Sequence, residues 1–270
     1  MDEMGEMSVD LGLKGKTAVI TGGSMGIGFE TAKTFLKEGA RVAISARRAS
    51  ELDRAGESLG ELGEVLTFCG DMTDAGDVNA FGRAAFERFG AIDCWVNNVG
   101  AVIPRQGGAY TPEIVRATVA VCFESAVYGC QTAYAYMKGR GGSIVNISSL
   151  AARCGTAGRS TLYGPLKAAV RQLAVMYAAE YAADGIRVNA VLPGFTVTPA
   201  VRRNISPEEL DRNAAGTLLR RLAEPEEIAR PIVFLSSGAA SYITAASLEV
   251  SGGRSVVLNP DFAWTARGVL

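Results

Sequence analysis

Thr21-Gly22-Gly23-Ser24-Met25-Gly26-Ile27-Gly28 closes an apolar, β-branched run, Thr17-Ala18-Val19-Ile20. It opens a helical pattern in which Ile27, Thr31 and Phe35, with Ala32 and Leu36 alongside, repeat until Gly39. A strand, a glycine turn and a helix follow from that order, with Gly39 as a left-handed end to the helix. A turn without side chains lets backbone approach a pyrophosphate. The free N–H groups at the helix start suit that anion without any basic residue. On this stretch alone the glycines read equally well as parts of a tight structural turn.

Outward from this turn, strand and helix patterns alternate. Arg41–Ser45 reads as a second strand, residues 50–62 as a helix, Val65–Phe68 as a third strand, residues 74–89 as a helix and Ile92–Val96 as a fourth strand. A long helix over Pro112–Met137 leads to strand Ser143–Ile147, which delivers Ser148 and Ser149 to the same sheet edge as the glycine turn. A helix from Tyr163 to about residue 183, strand Ile186–Val191, a helix over Pro225–Ser236 and a last strand, Ala246–Val250, complete the series. This alternation predicts an α/β fold, a doubly wound parallel sheet with helices on both faces, whose ligands sit at the C-terminal strand ends. The expected organisation is a flexible extension over residues 1–12, a single domain over 13–253 and a tail over 254–270. The polar, Arg-rich residues 199–221 read as a mobile cover, and the tail, with Phe262 and Trp264, as apolar enough to pack on something.

Composition narrows the function. The 270 residues carry a net charge of −1 with scattered basic side chains, so no nucleic-acid footprint and no membrane-surface patch is expected, and small-molecule chemistry is favoured. The acidic start has no apolar signal core and no apolar run reaches the ~20 residues of a bilayer span, which predicts a soluble, cytoplasmic protein. Five cysteines without CxxC spacing argue against a disulfide scaffold or a metal site. With no histidine in the chain, acid–base chemistry near neutral pH falls to Tyr, Lys, Cys or a carboxylate.

Tyr163 and Lys167 are four residues apart and share one helix face. Read singly, Tyr163 is as well explained as a buried aromatic, Lys167 as a solvated charge and Ser149 as a local cap. Together with the glycine turn, Asn97-Asn98-Val99-Gly100 and Pro193-Gly194 through Thr198, in this order, the chain resembles the short-chain dehydrogenase/reductase (SDR) family from Leu13 to Gly253. The resemblance implies a Rossmann-type seven-stranded parallel sheet, a nicotinamide cofactor, reversible hydride transfer to a carbonyl or from a secondary alcohol, and a homotetramer or dimer. It assigns Tyr163 as general acid/base, Ser149 as the hydroxyl that orients the substrate oxygen, and Lys167 as the ammonium that lowers the tyrosine pKa and binds the nicotinamide ribose. Cofactor contacts are implied for Gly22, Ser24, Met25, Gly26, Ile27 and Gly28, for Asp71 and Met72 near the adenine, for Asn98, Val99 and Gly100 beneath the ribose, and for Pro193, Gly194, Thr196 and Thr198 at the carboxamide.

After the second strand an NAD enzyme usually places a carboxylate. Here Ala46 stands there, followed by Arg47 and Arg48, which favours NADP (NADPH) with NAD still possible; the same arginines also read as surface charges. Where the family uses a fourth catalytic residue, an asparagine, this chain has Cys122, a weaker hydrogen-bonding group that also reads as a small buried residue. Val99, Pro165 and Ser251 depart from the usual alanine, serine and aspartate. Substrate specificity is expected from residues 101–110, 151–162 and 200–219, in which Arg153, Arg159, Arg202 and Arg203 offer a site for an anion, although the surroundings suit a hydrophobic alcohol such as a hydroxysteroid. A 3-oxoacyl or sugar-alcohol reductase of the same family, an isomerase or dehydratase, and a non-catalytic nucleotide-binding sensor are the alternatives.

Overall fold

The computed structural model describes residues 10–105, 108–155, 161–254, 256–257 and 259–269. Seven parallel strands form one sheet: β1 (Thr17–Ile20), β2 (Arg41–Ala46), β3 (Val65–Cys69), β4 (Cys94–Asn97), β5 (Gly142–Ile147), β6 (Ile186–Pro193) and β7 (Ser247–Val250). Their spatial order is β3-β2-β1-β4-β5-β6-β7, so the sheet direction of growth reverses beside β1, between it and β4. That reversal opens a crevice at the C-terminal strand ends, where open α/β sheets take their ligands.

The central strands are apolar on both sides because helices cover both faces. Along β1, Ala18 and Ile20 point to one face and Val19 to the other. The first face packs Phe35 and Leu36 of α1 (Gly26–Lys37) and Ile228 and Ile232 of α9 (Pro225–Ser236) against Ile44, Val96 and Val145. The opposite face packs Phe81 of α3 (Ala75–Phe89), Met137 of α5 (Ser125–Met137) and Ala174 of α6 (Tyr163–Tyr181) around Trp95 and Ile144. Trp95 is fully buried, and its indole N–H donates to Asn97 Oδ1 at 2.7 Å, so a large apolar group enters the core without an orphaned donor.

Helix ends follow local chemistry. Asp74 caps α3 by accepting from the Asp77 N–H at 3.0 Å, and Gly90, at φ +77°, ends that helix. Residues 49–60 form α2, held to β2 and β3 by Leu52, Ala55 and Leu59. At the amino end, Leu11 O accepts from Gly238 N at 3.0 Å, so the packed chain already includes a residue read as extension.

Two stretches differ from the sequence reading. The helix over residues 112–137 is continuous in path but not in hydrogen bonding: α4 (Pro112–Val119) and α5 flank a π-helical turn, Ala120–Glu124, with Cys122 at its centre. Periodicity cannot reveal one extra residue in a turn whose flanks both keep 3.6-residue spacing. The cover, for which the sequence reading named no helix, contains α7 (Pro199–Asn204) and α8 (Pro207–Ala215), capped by Thr198 and Ser206 hydroxyls that accept from Val201 and Glu209 N–H groups at 3.3 Å. Proline at the first position of each helix completes the start signal. The tail adds α10 (Phe262–Ala266).

Candidate active site

The loop between β1 and α1 is shaped by what its glycines leave out. Gly22 and Gly26 have φ of +69° and +58°, a region that favours glycine. A Cβ on Gly28 would lie 2.2 Å from Gly22 O and 2.6 Å from Asn98 Nδ2. The Asn98 amide donates to Thr21 O at 3.1 Å and Gly22 O at 2.9 Å, tying the β4 turn to the glycine turn. Met25 occupies the N-cap of α1 without a side-chain hydrogen bond, and the first turn contains no acid. The first-turn N–H groups therefore face the cleft with a positive dipole end and no carboxylate to answer it. This cradle, kept tight because a Cβ on Gly28 would strike the backbone, fits a dinucleotide pyrophosphate.

A cleft of about 1500 Å³ runs from Arg47 and Arg48 past this cradle to α7 and α8. Its walls bring together Gly22, Ser24, Met25, Gly26 and Ile27, then Asp71, Met72, Asn98, Val99 and Gly100, then Ser149, Tyr163 and Lys167, and finally Pro193, Gly194, Thr196 and Thr198. Two of the candidates for the cofactor and the reaction do not line it: Gly28 acts through the turn it keeps tight, and Cys122 lies behind the wall. Arg48 pairs with Glu51 at 2.6 Å, whereas Arg47 is largely exposed and its guanidinium stands 4.0 Å from Asp71. Such a long, solvated pair holds the side chain weakly and leaves it ready for a stronger anion. Glu51 is a carboxylate at this end of the cleft that the sequence reading overlooked; its spacing of three from Arg48 was the available signal.

Beside the cradle, β5 hands the chain to Ser148 and Ser149. Buried Ser148 donates its hydroxyl to Lys167 O at 2.7 Å, which fixes α6 against the strand end. Lys167 is buried, and its ammonium donates to Ile147 O at 2.7 Å while standing 5.8 Å from the Tyr163 ring centre. Gly100 makes room for it, since a Cβ there would come within 2.6 Å of Nζ. Ser149 has two roles: it accepts from Ala151 N at 3.1 Å and hydrogen-bonds to Tyr163. The local cap foreseen as the plainer reading of Ser149 is present, and the same hydroxyl also meets Tyr163, a contact the sequence reading did not name.

The expected acidification of Tyr163 is reversed. Burial pushes its phenol up to about 12, the Cys122 sulfur acts in the same direction, and the Ser149 hydrogen bond opposes them. Burial also pushes Lys167 down to about 8. Helical spacing placed the ammonium correctly but carried no information on desolvation, which disfavours both charged forms. Cys122 donates its thiol to Ala101 O at 3.1 Å from the π turn. That widened turn also puts Val121 on the cleft wall, a contact that α-helical periodicity does not indicate.

The substrate end is mainly apolar: Val102, Pro104, Val121, Phe195, Val201 and Ile205, with Asn204 and Glu209 as polar points. Of the arginines proposed for an anion, Arg153 pairs with Glu249 at 2.8 Å and Arg202 with Glu224 at 3.2 Å, and neither they nor Arg203 line the cleft; Arg159 lies outside the described residues. Among the described residues no cluster of metal-ligating side chains occurs, and no helix is long and apolar enough to cross a membrane.

Residues 22–255 match the family model described as enoyl-(acyl carrier protein) reductase. The chain is 39% identical over 255 residues to the L-rhamnose 1-dehydrogenase (NAD(P)(+)) of Azotobacter vinelandii, covering 90% of this chain and 98% of that one. It is 37% identical over 246 residues to the 3alpha-hydroxysteroid dehydrogenase of Mediterraneibacter gnavus, covering 89% and 97%. The structure of a 7 alpha-hydroxysteroid dehydrogenase complexed with NADH and 7-oxo glycochenodeoxycholic acid superposes with a TM-score of 0.86 at 32% identity, covering 93% of this chain and 98% of that one.

Proposed function

The chain belongs to the short-chain dehydrogenase/reductase family of oxidoreductases, and from that premise we propose that it transfers hydride reversibly between NADP(H) and a neutral, largely apolar ketone or secondary alcohol. The observation that carries this reading is the meeting of Ser149, Tyr163 and Lys167 on one wall of the cleft that also contains the glycine cradle. The bound nicotinamide would supply hydride to the carbonyl carbon, or accept it from the carbinol carbon.

The chain's own residues handle the oxygen and its proton. Tyr163, a phenol protonated at neutral pH whose pKa burial raises further, donates its proton to the carbonyl oxygen during reduction and takes one back in the oxidative direction. Ser149, already hydrogen-bonded to Tyr163, orients the same oxygen. Lys167, anchored on Ile147 O, holds a positive charge under the tyrosine and offers a donor to the ribose. Apolar walls around the reacting centre exclude water, which strengthens each of these interactions.

Arg47, with Ala46 in place of a carboxylate, supports the 2′-phosphate of NADP. A hydroxysteroid-like substrate agrees with the apolar lining and with the names of two relatives. A sugar, suggested by the rhamnose relative, would meet only Asn204 and Glu209 as polar side chains among the described residues of the substrate end. The deciding experiment is a fluorescence titration with NADPH and NADH, followed by absorbance at the nicotinamide band across alicyclic alcohols and ketones. Tight NADPH binding and turnover abolished in Tyr163→Phe are expected. A preference for NADH would refute the role of Arg47, and binding without turnover on any carbonyl class would favour a nucleotide sensor.

A further inference from the structure

The C-terminal tail packs on the root of the substrate cover. After α8 the chain turns through Thr217–Arg221, where Leu218 N and Leu219 N donate to Gly252 O at 2.9 and 3.3 Å. Three side chains extend this attachment. Arg254 donates to Asn213 O of α8 at 2.9 Å, the Trp264 indole N–H donates to Leu218 O at 3.1 Å, and Asp261 pairs with Arg220 at 2.7 Å. Arg220 also donates to Ala215 O, the last residue of α8.

Arg220 is the junction of these contacts. Its backbone has φ +57°, a left-handed conformation that disfavours a residue with a Cβ. Such a conformation persists where the surroundings over-determine it. Here the guanidinium is mostly buried, at 17% exposure, between the tail carboxylate and the end of α8. The opposite side of the cover, Val201, Asn204, Ile205 and Glu209, lines the cleft.

We propose that Asp261 and Trp264 are positioning residues for the substrate: acting through Arg220 and Leu218, they fix the root of α7–α8 and so set how the cover lies over the cleft. This rests on the cleft being the substrate site. The described contacts of the tail fall on Asn213, Leu218 and Arg220 at the root of the cover, so the effect falls on substrate capture before nucleotide binding.

The test compares the full chain with Asp261→Asn/Trp264→Phe and, separately, Arg220→Gly, which removes the clamp and the left-handed strain together. Amide hydrogen exchange of residues 199–215 should accelerate about fivefold in both variants, with the β1–α1 segment unchanged. In turnover assays the substrate KM should rise about fivefold, with kcat and the NADPH dissociation constant within about twofold of the parent. Unchanged exchange across residues 199–215 would overturn the proposal, as would a fall in melting temperature in both variants without any change in substrate KM. Because exchange is read without substrate, a chain that turned over no carbonyl would refute the functional reading and still decide whether the tail holds the cover.

Discussion

Replacing Gly100 by alanine tests whether the lysine seen in the structure is the working one. The new Cβ would lie 2.6 Å from Lys167 Nζ and 3.2 Å from its Cε, where ordinary contact begins at 3.4 Å. The ammonium is the far end of a flexible side chain, so it retreats by about 0.8 Å while the backbone keeps its place. Its 2.7 Å bond to Ile147 O then leaves the range of good hydrogen bonds. A hydrogen bond from a charged group is worth about 1.5–3 kcal/mol, and a partial loss of about 1–2 kcal/mol at the site corresponds to a fall in kcat/KM of roughly 5- to 30-fold. Global stability should change by no more than the same bond, a few degrees of melting temperature. Steady-state kinetics on NADPH and ketone, with a thermal melt as control, make the measurement. A folded Gly100→Ala protein with parental kcat/KM would refute the reasoning, because Lys167 would then not need the place that Gly100 leaves for it. Collapse of stability by far more than a few degrees would show equally that the lysine cannot move as argued.

Three further outcomes follow from the same site. Gly28→Ala would drive a Cβ into Gly22 O, so the turn must open, and a nucleotide titration should show at least a roughly tenfold loss of affinity; parental binding would mean the cradle is not used. Lys167 surrenders its proton near about 8 when folded, against 10.5 ordinarily, so between those values the unfolded chain binds more protons and this group adds stability as pH rises. Lys167→Met should therefore melt higher than the parent at pH 7, with the gain vanishing toward about pH 10.5, while turnover is lost; a gain that grew with pH would have the wrong sign. Cys122→Asn should sustain or raise turnover, measured as kcat on the preferred ketone, and a clear loss would contradict the placement of Cys122 at the family's asparagine.

How legible the molecule was depends on which forces acted locally. The β-branched runs and their helical partners told the seven strands, because burial on both faces gives the central ones a composition that a single segment displays, and alternation with helices marked the less buried edge strands β3 and β7. Pro225–Ser236 was readable to the residue from its proline start. The cover helices carry their start signals, Thr198-Pro199 and Ser206-Pro207, cap followed by first-turn proline, yet their polar surfaces left them unassigned within a mobile cover. The residues named for the nucleotide and the reaction mostly line the cleft, since the motif that carries them is contiguous at each strand end, whereas Glu51, Val121 and Phe195 on its wall went unread. What stayed hidden required three dimensions. The desolvation that raises Tyr163 comes from residues far away in sequence, the π turn differs from an α-helix by one residue, and the tail's seat on Leu218 and Arg220 lies 46 and 41 positions away from Trp264 and Asp261.

The reversal of strand order beside β1 divides the labour of the chain. On the proposed reading the phosphates and adenine would be met chiefly by the turns after β1, β2 and β3, before residue 73, and the substrate by residues after 100. Asn98 is the rivet between the two, its amide holding the first turn while its backbone begins the second half. Arg47 stands at one end of the cleft and Val201 and Ile205 at the other, so changes at these positions should act independently and their free energies should add. A protein engineer could therefore retune the nucleotide at Arg47 and the substrate at Val201 or Ile205 in separate libraries and combine the winners, with position 98 left alone.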